Sequence, residues 1–429
     1  MYFGKQNVDN DPYLGHLMSE RKARASLSHK TEETIDTLLK ELSHPLINLH
    51  KLRTLCFSGI PDEINGLRAL IWKLLFGYLP NNRSKWEASL ENNRKLYAEF
   101  VEEFLSLKKE KLPLTVLKEV EKMQEEPSIM KESNGEEVKH NEVQSYAKCI
   151  GVISMGEEKE HPLSKDTGSD WYNYYKDFNL WEEVEKDTKR TRSELDLFSQ
   201  PTSKPLNKCL SRILTRSEPE LHSDVLSRIL FIYGKLNPGV RYVQGMNELL
   251  APIYYCFYHD NNPAFKGYAE PDAFYCFSTL MGETKENFVK SLDNTDAGIK
   301  SRITDLNNLL KRIDQPLWTH LNNEHVHPQF YTLRWLMLLL TQEFELMDVL
   351  RLWDTLLSHP HKMDFLNYCC IALIENIRDK IIGEEFPVIM ENLQKNVTAE
   401  GVETMLKKAI ALYKQYANPE EMSYIVFLC

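Results

Sequence analysis

Apolar residues along this chain recur at the spacing of amphipathic helices. Between residues 31 and 42, one predicted helical face carries Ile35, Leu38, Leu39 and Leu42. Residues 83–107 continue the pattern with an apolar stripe made of Trp86, Leu90, Leu96, Phe100 and Phe104. No segment alternates clearly between apolar and polar residues over the length of a strand. The pattern therefore predicts an all-α fold, with one multi-helix domain that carries loop insertions.

The helical pattern is strongest in the second half of the chain. Shorter helices are predicted after Pro45 and from Asn65 to Tyr78. From residue 223 onward the predicted helices are Asp224–Lys235, Met246–Tyr258, Asp272–Met281, Ile299–Leu321, Phe330–Leu340, Leu346–Leu357, Asp364–Ile377 and Thr398–Tyr413. The chain is long enough for these segments to enclose a sizeable core.

Changes in composition divide the chain into segments. Residues 1–30 are polar and weakly patterned, which predicts a mobile N-terminal tail, and residues 31–54 are predicted to form leading helices. An acidic stretch with a Ser-Asn-Gly turn predicts an insertion near 108–165, and a proline-rich stretch predicts another near 199–222. Residues 381–429 are predicted to form C-terminal helices that complete or flank the domain.

Composition and charge narrow the class of protein. Only 17 of the 429 residues are glycine, which favours helices over a many-stranded sandwich or barrel. The net charge of −11 argues against broad nucleic-acid binding, which needs a basic surface. Eight cysteines without a Cys-x-x-Cys pair predict buried thiols in a reducing compartment. We find no signal peptide, and the apolar runs are far shorter than the roughly 18 residues that span a bilayer. We therefore expect a soluble, cytoplasmic protein.

The familiar sequence signatures of enzymes are missing. Gly234-Lys235 is followed by leucine, so it is not a nucleotide-binding P-loop, and GxGxxG, HExxH and GxSxG do not occur. Five histidines lack the cysteines or carboxylates that a metal site needs at suitable spacing, and surface or loop positions are expected for His320, His325, His327, His359 and His361. The Cys369-Cys370 pair lies in an apolar segment, which favours core thiols over a redox site. We expect no metal site and no cofactor of the chain's own.

Three short segments combine residue types that can perform chemistry. Arg68 and Trp72 are four positions apart and share one helical face, but taken alone they favour a plain amphipathic helix with a partly buried tryptophan. Asp187 and Arg190 are three positions apart on a predicted helix end. This spacing, taken alone, favours an ordinary exposed ion pair. The third segment has a Pro-Gly turn and then the sequence Tyr242-Val243-Gln244-Gly245 before an apolar helix. Functional groups are often placed on such loops, but taken alone the segment favours a polar loop residue near a helix cap.

A fourth segment is interpreted as architecture. It consists of Phe330-Tyr331-Thr332-Leu333-Arg334-Trp335 and, after Glu343-Phe344, of Leu350-Arg351-Leu352-Trp353-Asp354. We predict two amphipathic helices that pack their tryptophan faces together. Arg334, Arg351 and Asp354 are predicted to pair at the ends of these helices.

In this order the four segments resemble the TBC (Tre-2/Bub2/Cdc16) domain, found in GTPase-activating proteins for Rab GTPases. The R-x-x-x-W motif of that family is matched by Arg68 and Trp72. Its I-x-x-D-x-x-R motif is matched by Val184, Asp187 and Arg190, with valine for isoleucine, and its Y-x-Q motif by Tyr242 and Gln244. The RLWD-type helix corresponds to 351–354, and the resemblance covers residues 55–380. The intervals between the motifs are longer than usual where the insertions are predicted.

The resemblance implies a dual-finger mechanism on a partner. Arg190 would enter the active site of a GTP-bound Rab-family GTPase, and Gln244 would orient the attacking water. Asp187 and Tyr242 would support these two residues. Arg68 and Trp72 would hold the fold near the finger and touch the GTPase. GTP and magnesium belong to the partner, so no independent substrate turnover is expected.

The same resemblance implies a role in vesicle trafficking and intracellular protein transport. A cytoplasmic protein would be recruited peripherally to endomembranes, with membrane contact only through the Rab. Two alternatives stay open at this point. One is a catalytically silent TBC-fold effector or scaffold that binds GTP-loaded Rab, and the other is a structural α-helical adaptor in which the motifs are accidental.

Overall fold

A computed structural model describes residues 11–24, 27–105, 170–206, 219–288 and 298–417. Within these ranges the backbone forms 17 α-helices and no strand. The described residues contain two isolated β-bridges, which join Leu46 to Asn82 and Pro201 to Leu221. The predicted all-α fold is confirmed.

The helices follow one another in an order that begins with α1 (Gly15–Ala23), α2 (His29–Leu42), α3 (Leu49–Cys56), α4 (Leu67–Leu75), α5 (Trp86–Leu105), α6 (Asp170–Thr188), α7 (His222–Leu236) and α8 (Met246–Tyr258). The remaining helices are α9 (Ala269–Thr284), α10 (Ile299–Ile313), α11 (Gln315–Asn323), α12 (Gln329–Met337), α13 (Leu346–Ser358), α14 (Lys362–Asn376), α15 (Arg378–Ile381), α16 (Phe386–Glu391) and α17 (Gly401–Tyr416). Short 3₁₀ turns cover Arg83–Lys85, Asp196–Ser199 and Lys285–Phe288, and a π turn covers Asn392–Asn396.

Helix α8 lies at the centre of the bundle. It contacts α6, α7 and α9 as well as α4 and α13. Its residues are almost all buried, as expected for a helix that is apolar on every face. Helix α17 packs against α13 and α14, so the C-terminal region adds to the same core. No described helix is both long and apolar enough to span a bilayer.

Polar caps decide where several helices begin. The Ser28 side chain accepts a hydrogen bond from Thr31 N at the start of α2. The predicted single helix Ile299–Leu321 is wrong, because α10 ends at Ile313. Asp314 then caps α11 by accepting a hydrogen bond from Leu317 N at 2.9 Å, with Pro316 in the first turn.

Helix α5 turns a slightly different face to the core than its sequence predicts. Leu96 is 41% exposed, so its place in the predicted apolar stripe is wrong. The buried face is instead formed by Trp86, Leu90, Tyr97, Val101 and Leu105. Successive residues of an α-helix are about 100° apart around its axis. Tyr97 can therefore point inward while its neighbour Leu96 points outward.

The N-terminal segment also differs from its prediction. Residues 15–23 form helix α1, so a mobile tail over residues 1–30 is wrong for this part. Leu14 and Leu17 are fully buried, and the Tyr13 ring packs edge-on against Trp86 with centroids 5.2 Å apart. The burial of two leucines beside a half-buried tyrosine explains why this segment packs against the core although it shows little periodicity.

Some sequence predictions concern residues that the structure does not describe. The predicted insertion near 108–165 lies wholly outside the described residues, as do residues 207–218 of the insertion near 199–222.

The five cysteines in the described ranges are free and buried, as predicted, and they are Cys56, Cys256, Cys276, Cys369 and Cys370. His359 lies in the loop that follows α13, as predicted, but it is buried, so a surface position is wrong for it.

Candidate functional site

The segment that contains Arg190 leaves the last turn of α6. Val184 is fully buried and anchors this turn, and Arg190 N donates to Asp187 O at 3.2 Å as the helix ends. Asp187 is buried, whereas the Arg190 side chain is 66% exposed. Arg190 Nη2 donates to Asp187 Oδ1, and this bond raises the pKa of the guanidinium. The charged side chain is thus restrained at one end and open to solvent at the other.

The segment that contains Gln244 joins α7 to α8. Gln244 is exposed, and its amide has no hydrogen-bond partner among the described residues. The next residue, Gly245, caps α8 with φ +102°, in the region that glycine adopts most readily. A Cβ at Gly245 would also lie 2.8 Å from Leu338 Cδ2. The left-handed φ and the packed Leu338 side chain both favour glycine beside Gln244.

The carboxylate of Asp187 brings these two segments together. Arg190 binds its Oδ1 atom, and the Tyr242 hydroxyl donates to its Oδ2 atom at 2.7 Å. Burial, with the hydrogen bond to Asp187, raises the pKa of Tyr242 well above its usual range, so the phenol stays protonated. The second and third motifs of the sequence analysis thus form one cluster.

Asn247 and Thr191 tie the same cluster together by a second route. Asn247 Nδ2 donates to Thr191 Oγ1 at 2.9 Å, and that hydroxyl donates to Asp187 O at 3.0 Å. Asn247 Oδ1 accepts from Gly245 N at 3.2 Å. Sequence reasoning gave neither residue a role, although both stand beside the motifs it selected.

The first motif forms a separate, buried cluster around Asp354. Its carboxylate accepts hydrogen bonds from Ile60 N at 2.9 Å, from Trp72 Nε1 at 2.8 Å and from two nitrogens of Arg68. Burial raises the pKa of Asp354, and the Arg68 guanidinium opposes that shift. Trp72 is completely buried, so it cannot touch a partner in this conformation. Arg68 and Trp72 hold α4 to α13.

The predicted pairing among Arg334, Arg351 and Asp354 is wrong. Arg334 instead binds Glu343 with two nitrogens, and Arg351 binds Glu403. These partners come from segments that the helix periodicity alone does not bring together.

A chain of contacts joins the Asp354 cluster to the Gln244 loop. The Trp72 and Trp353 rings lie 5.9 Å apart, and Trp353 Nε1 donates to Leu339 O at 3.4 Å. Leu339 is the second residue of the turn 338–344, which follows α12. The preceding residue, Leu338, packs against Gly245. The turn 338–344 therefore touches both the buried cluster and the backbone beside Gln244.

Comparisons with known proteins bear on the family of the chain. A family model for the Rab-GTPase-TBC domain matches residues 215–382, a range that includes Tyr242, Gln244 and Asp354. TBC1 domain family member 13 from Homo sapiens is 34% identical and aligns with 82% of this chain and 91% of its own length. The chain belongs to the TBC family. A TBC domain-containing protein from Schizosaccharomyces pombe is 31% identical and aligns over 88% of this chain and 72% of its own length.

The TBC fold is also matched by a solved structure. The crystal structure of the Ypt/Rab-GAP domain of Gyp1p superimposes with a TM-score of 0.61 and covers 90% of this chain and 99% of that domain. At 23% sequence identity this match shows the fold. In this TBC chain, the described residues contain no group of three or more histidine, cysteine or acidic side chains suited to a metal ion.

Proposed function

We propose that this TBC protein accelerates GTP hydrolysis by a Rab-family small GTPase and so acts in vesicle trafficking. The observation that carries the proposal is the double use of Asp187, whose carboxylate binds Arg190 on one oxygen and Tyr242 on the other. The exposed guanidinium of Arg190 and the exposed amide of Gln244 therefore both stand beside the cluster that Asp187 and Tyr242 form. Membership in the TBC family supplies the partner class.

Arg190 acts as the arginine finger in this proposal. Phosphoryl transfer requires positioning and the stabilisation of negative charge more than covalent chemistry by the protein. An arginine remains protonated at any physiological pH and presents several donors in one plane. Asp187 holds one side of the guanidinium, which leaves other N–H groups available for the transferring phosphoryl group. Arginine fingers accelerate hydrolysis by about 10³- to 10⁵-fold.

Gln244 positions the attacking water in this proposal. A neutral amide can accept a hydrogen bond from water through its oxygen and donate another to phosphate through its nitrogen. The backbone beside Gln244 is fixed by Gly245 and by the first turn of α8, so the amide begins from a defined place. Asp187 and Tyr242 act as positioning residues. The GTPase supplies the nucleotide and its magnesium, and membrane contact is made through the GTPase.

The test is single-turnover GTP hydrolysis on a panel of purified Rab GTPases. We expect the wild-type chain to accelerate one or a few of them strongly, and Arg190→Ala and Gln244→Ala to lower that acceleration by orders of magnitude. Arg24→Ala and Gln415→Ala are matched controls, because both positions are exposed and neither belongs to the cluster. Thermal unfolding verifies that all four variants are folded.

Two other results would each contradict the proposal. If GTP-loaded Rabs bind but none is accelerated, the chain is a catalytically silent effector or scaffold. If no Rab binds in either nucleotide state, the chain acts as an adaptor and the roles of both Arg190 and Gln244 are wrong.

A further inference from the structure

Arg192 is a buried arginine in an unusual backbone conformation, two residues after Arg190. Its φ angle is +48°, in the left-handed region that side chains other than glycine and asparagine rarely adopt. The residue is 7% exposed. A strained residue of this kind persists only where its surroundings hold it firmly, and such residues concentrate at functional sites.

The guanidinium of Arg192 connects three parts of the molecule. It donates hydrogen bonds to Thr341 O and to Phe344 O, the latter at 3.0 Å, and both carbonyls belong to the turn 338–344. Its Nε atom lies 3.3 Å from Glu248 Oε2, in the first turn of α8. A further oxygen, from the exposed side chain of Glu194, lies 3.3 Å from Nη1. The Arg190 segment, the start of α8 and the turn are thus joined by one side chain.

Glu248 is itself held on both of its oxygens. Its Oε1 atom accepts from Asn247 Nδ2 at 3.3 Å, while Oε2 faces Arg192. Burial raises the pKa of Glu248, and the nearby charge of Arg192 opposes this shift. Glu248 lies in the first turn of α8, four positions after Gln244, so its contacts help to hold the helix start that follows the Gln244 loop.

We propose that Arg192 and Glu248 are positioning residues that fix Arg190 relative to Gln244. This inference rests on the proposed function and deepens it. The Asp187–Tyr242 and Thr191–Asn247 hydrogen bonds link the two segments within one cluster, which leaves them some freedom to rotate about it. The ion pair of Arg192 with Glu248 is a further link at a different point, and Arg192 also binds the turn 338–344, so this link defines orientation as well as distance. Misplacement of a catalytic group by 1 Å can lower a rate about 100-fold.

The variant that tests the inference is Arg192→Lys, which keeps the positive charge and loses the planar fork of donors. We expect the saturating single-turnover rate to fall about tenfold or more, while the concentration of the chain that gives half of that rate changes less than about twofold. Glu248→Gln keeps the shape and removes the charge, and we expect the same pattern. Because both variants break the same ion pair, the double variant should lose little more of the rate than either single variant.

Arg94→Lys is the matched control. Arg94 binds the Asp272 carboxylate with two nitrogens and the Ala264 carbonyl with a third, so its fork resembles that of Arg192 but joins α5 to α9. We expect this variant to lower thermal stability and to leave the saturating rate unchanged. If both lysine variants lower the rate in proportion to their loss of stability, Arg192 is merely structural and the inference is wrong.

Hydrogen exchange supplies a readout that needs no GTPase. We expect Arg192→Lys to speed exchange of backbone amides in residues 188–195 and in residues 244–249 together, at a temperature where the variant is fully folded. Exchange that is unchanged in 244–249 would overturn the inference. This measurement separates the two proposals, because it gives its answer even if the wild-type chain accelerates no GTPase.

Discussion

Asp187 connects the segment that carries Arg190 with the segment that carries Gln244. Its two carboxylate oxygens have different donors, Arg190 and the hydroxyl of Tyr242. A buried carboxylate with two such donors has little freedom to turn, and the direction of Arg190 follows from it. Removal of one donor therefore changes the environment of the other.

Tyr242→Phe removes one of these donors and keeps the ring. We expect the free energy of unfolding to fall by about 1 kcal/mol, because Asp187 loses a hydrogen bond inside the protein. We also expect the saturating rate of stimulated GTP hydrolysis to fall about tenfold, because Asp187 then holds Arg190 less firmly. Urea unfolding and single-turnover kinetics measure the two effects.

Tyr275→Phe is the control for this prediction. The Tyr275 hydroxyl is buried and has no hydrogen-bond partner among the described residues, so its removal should leave stability unchanged or slightly raised. Equal losses of stability and rate in both variants would mean that the hydroxyl of Tyr242 has no special role.

At the residue scale, the sequence identified the exposed side chains better than their supports. Arg190 and Gln244 could be selected because each stands in a short motif. Arg192 could not, because its partners at Thr341, Phe344 and Glu248 are brought near only by the fold. No local pattern marks an arginine that is buried by distant segments.

At the scale of elements, the loop before α8 depends on a single glycine. We expect Gly245→Ala to lower the free energy of unfolding by about 1–3 kcal/mol, since the left-handed backbone and the contact with Leu338 both oppose a side chain. We also expect the stimulated rate to fall, because Gln244 precedes the displaced residue. Thermal unfolding and single-turnover kinetics measure the two effects.

Gly282→Ala serves as the helical control. Gly282 lies within α9, and among the described residues no atom beyond its chain neighbours and its own helix backbone lies within 4 Å of a Cβ built there. Alanine should stabilise that helix by about 0.5–1 kcal/mol without affecting the rate. A loss of stability at Gly282 as large as that at Gly245 would show that the loop imposes no special demand.

Helix boundaries illustrate what the apolar pattern can and cannot predict. The existence of α2 and α13 followed from their periodicity, and that of α8 from its long apolar run. The break between α10 and α11 did not, because the apolar spacing continues across it and only the cap at Asp314 ends the first helix. Helix α1 was missed because two leucines are too few to form a pattern.

At the scale of the whole molecule, two buried histidines make stability depend on pH. Burial lowers the pKa of His222 and of His359 to about 4. A histidine in the unfolded chain titrates near 6.5, so between these values the unfolded chain binds more protons than the folded chain. This stabilisation is complete above about pH 6.5 and is lost as the pH falls towards 4. It amounts to about 3 kcal/mol per histidine at most.

Urea unfolding near pH 7 and near pH 4.5 measures this dependence. Buried carboxyl groups such as Asp354 have raised pKa values and change stability in the opposite direction, so each comparison is made between wild type and variant. We expect His222→Gln and His359→Gln to lose less stability on acidification than the wild-type chain. Equal losses of unfolding free energy in the wild type and both variants would contradict a lowered pKa at these two histidines.

The overall architecture could be predicted because it depends on many residues at once. Errors at Leu96 or Asp314 did not change the conclusion of an all-helical domain, since the other amphipathic segments still required a common core. The site depends on a few contacts between distant segments, and each needs the fold to be known. Motif order supplied the candidates, and only the structure supplied the links between them.

The contact between Arg190 and Asp187 has a consequence for the entropy of association. Arginine is among the side chains that lose the most rotamer freedom when they are fixed. Arg190 is restrained by Asp187 before any partner arrives, so part of that ordering accompanies the folding of the chain. Association with a partner is then less unfavourable entropically, and the guanidinium returns to the same restrained conformation after each partner departs.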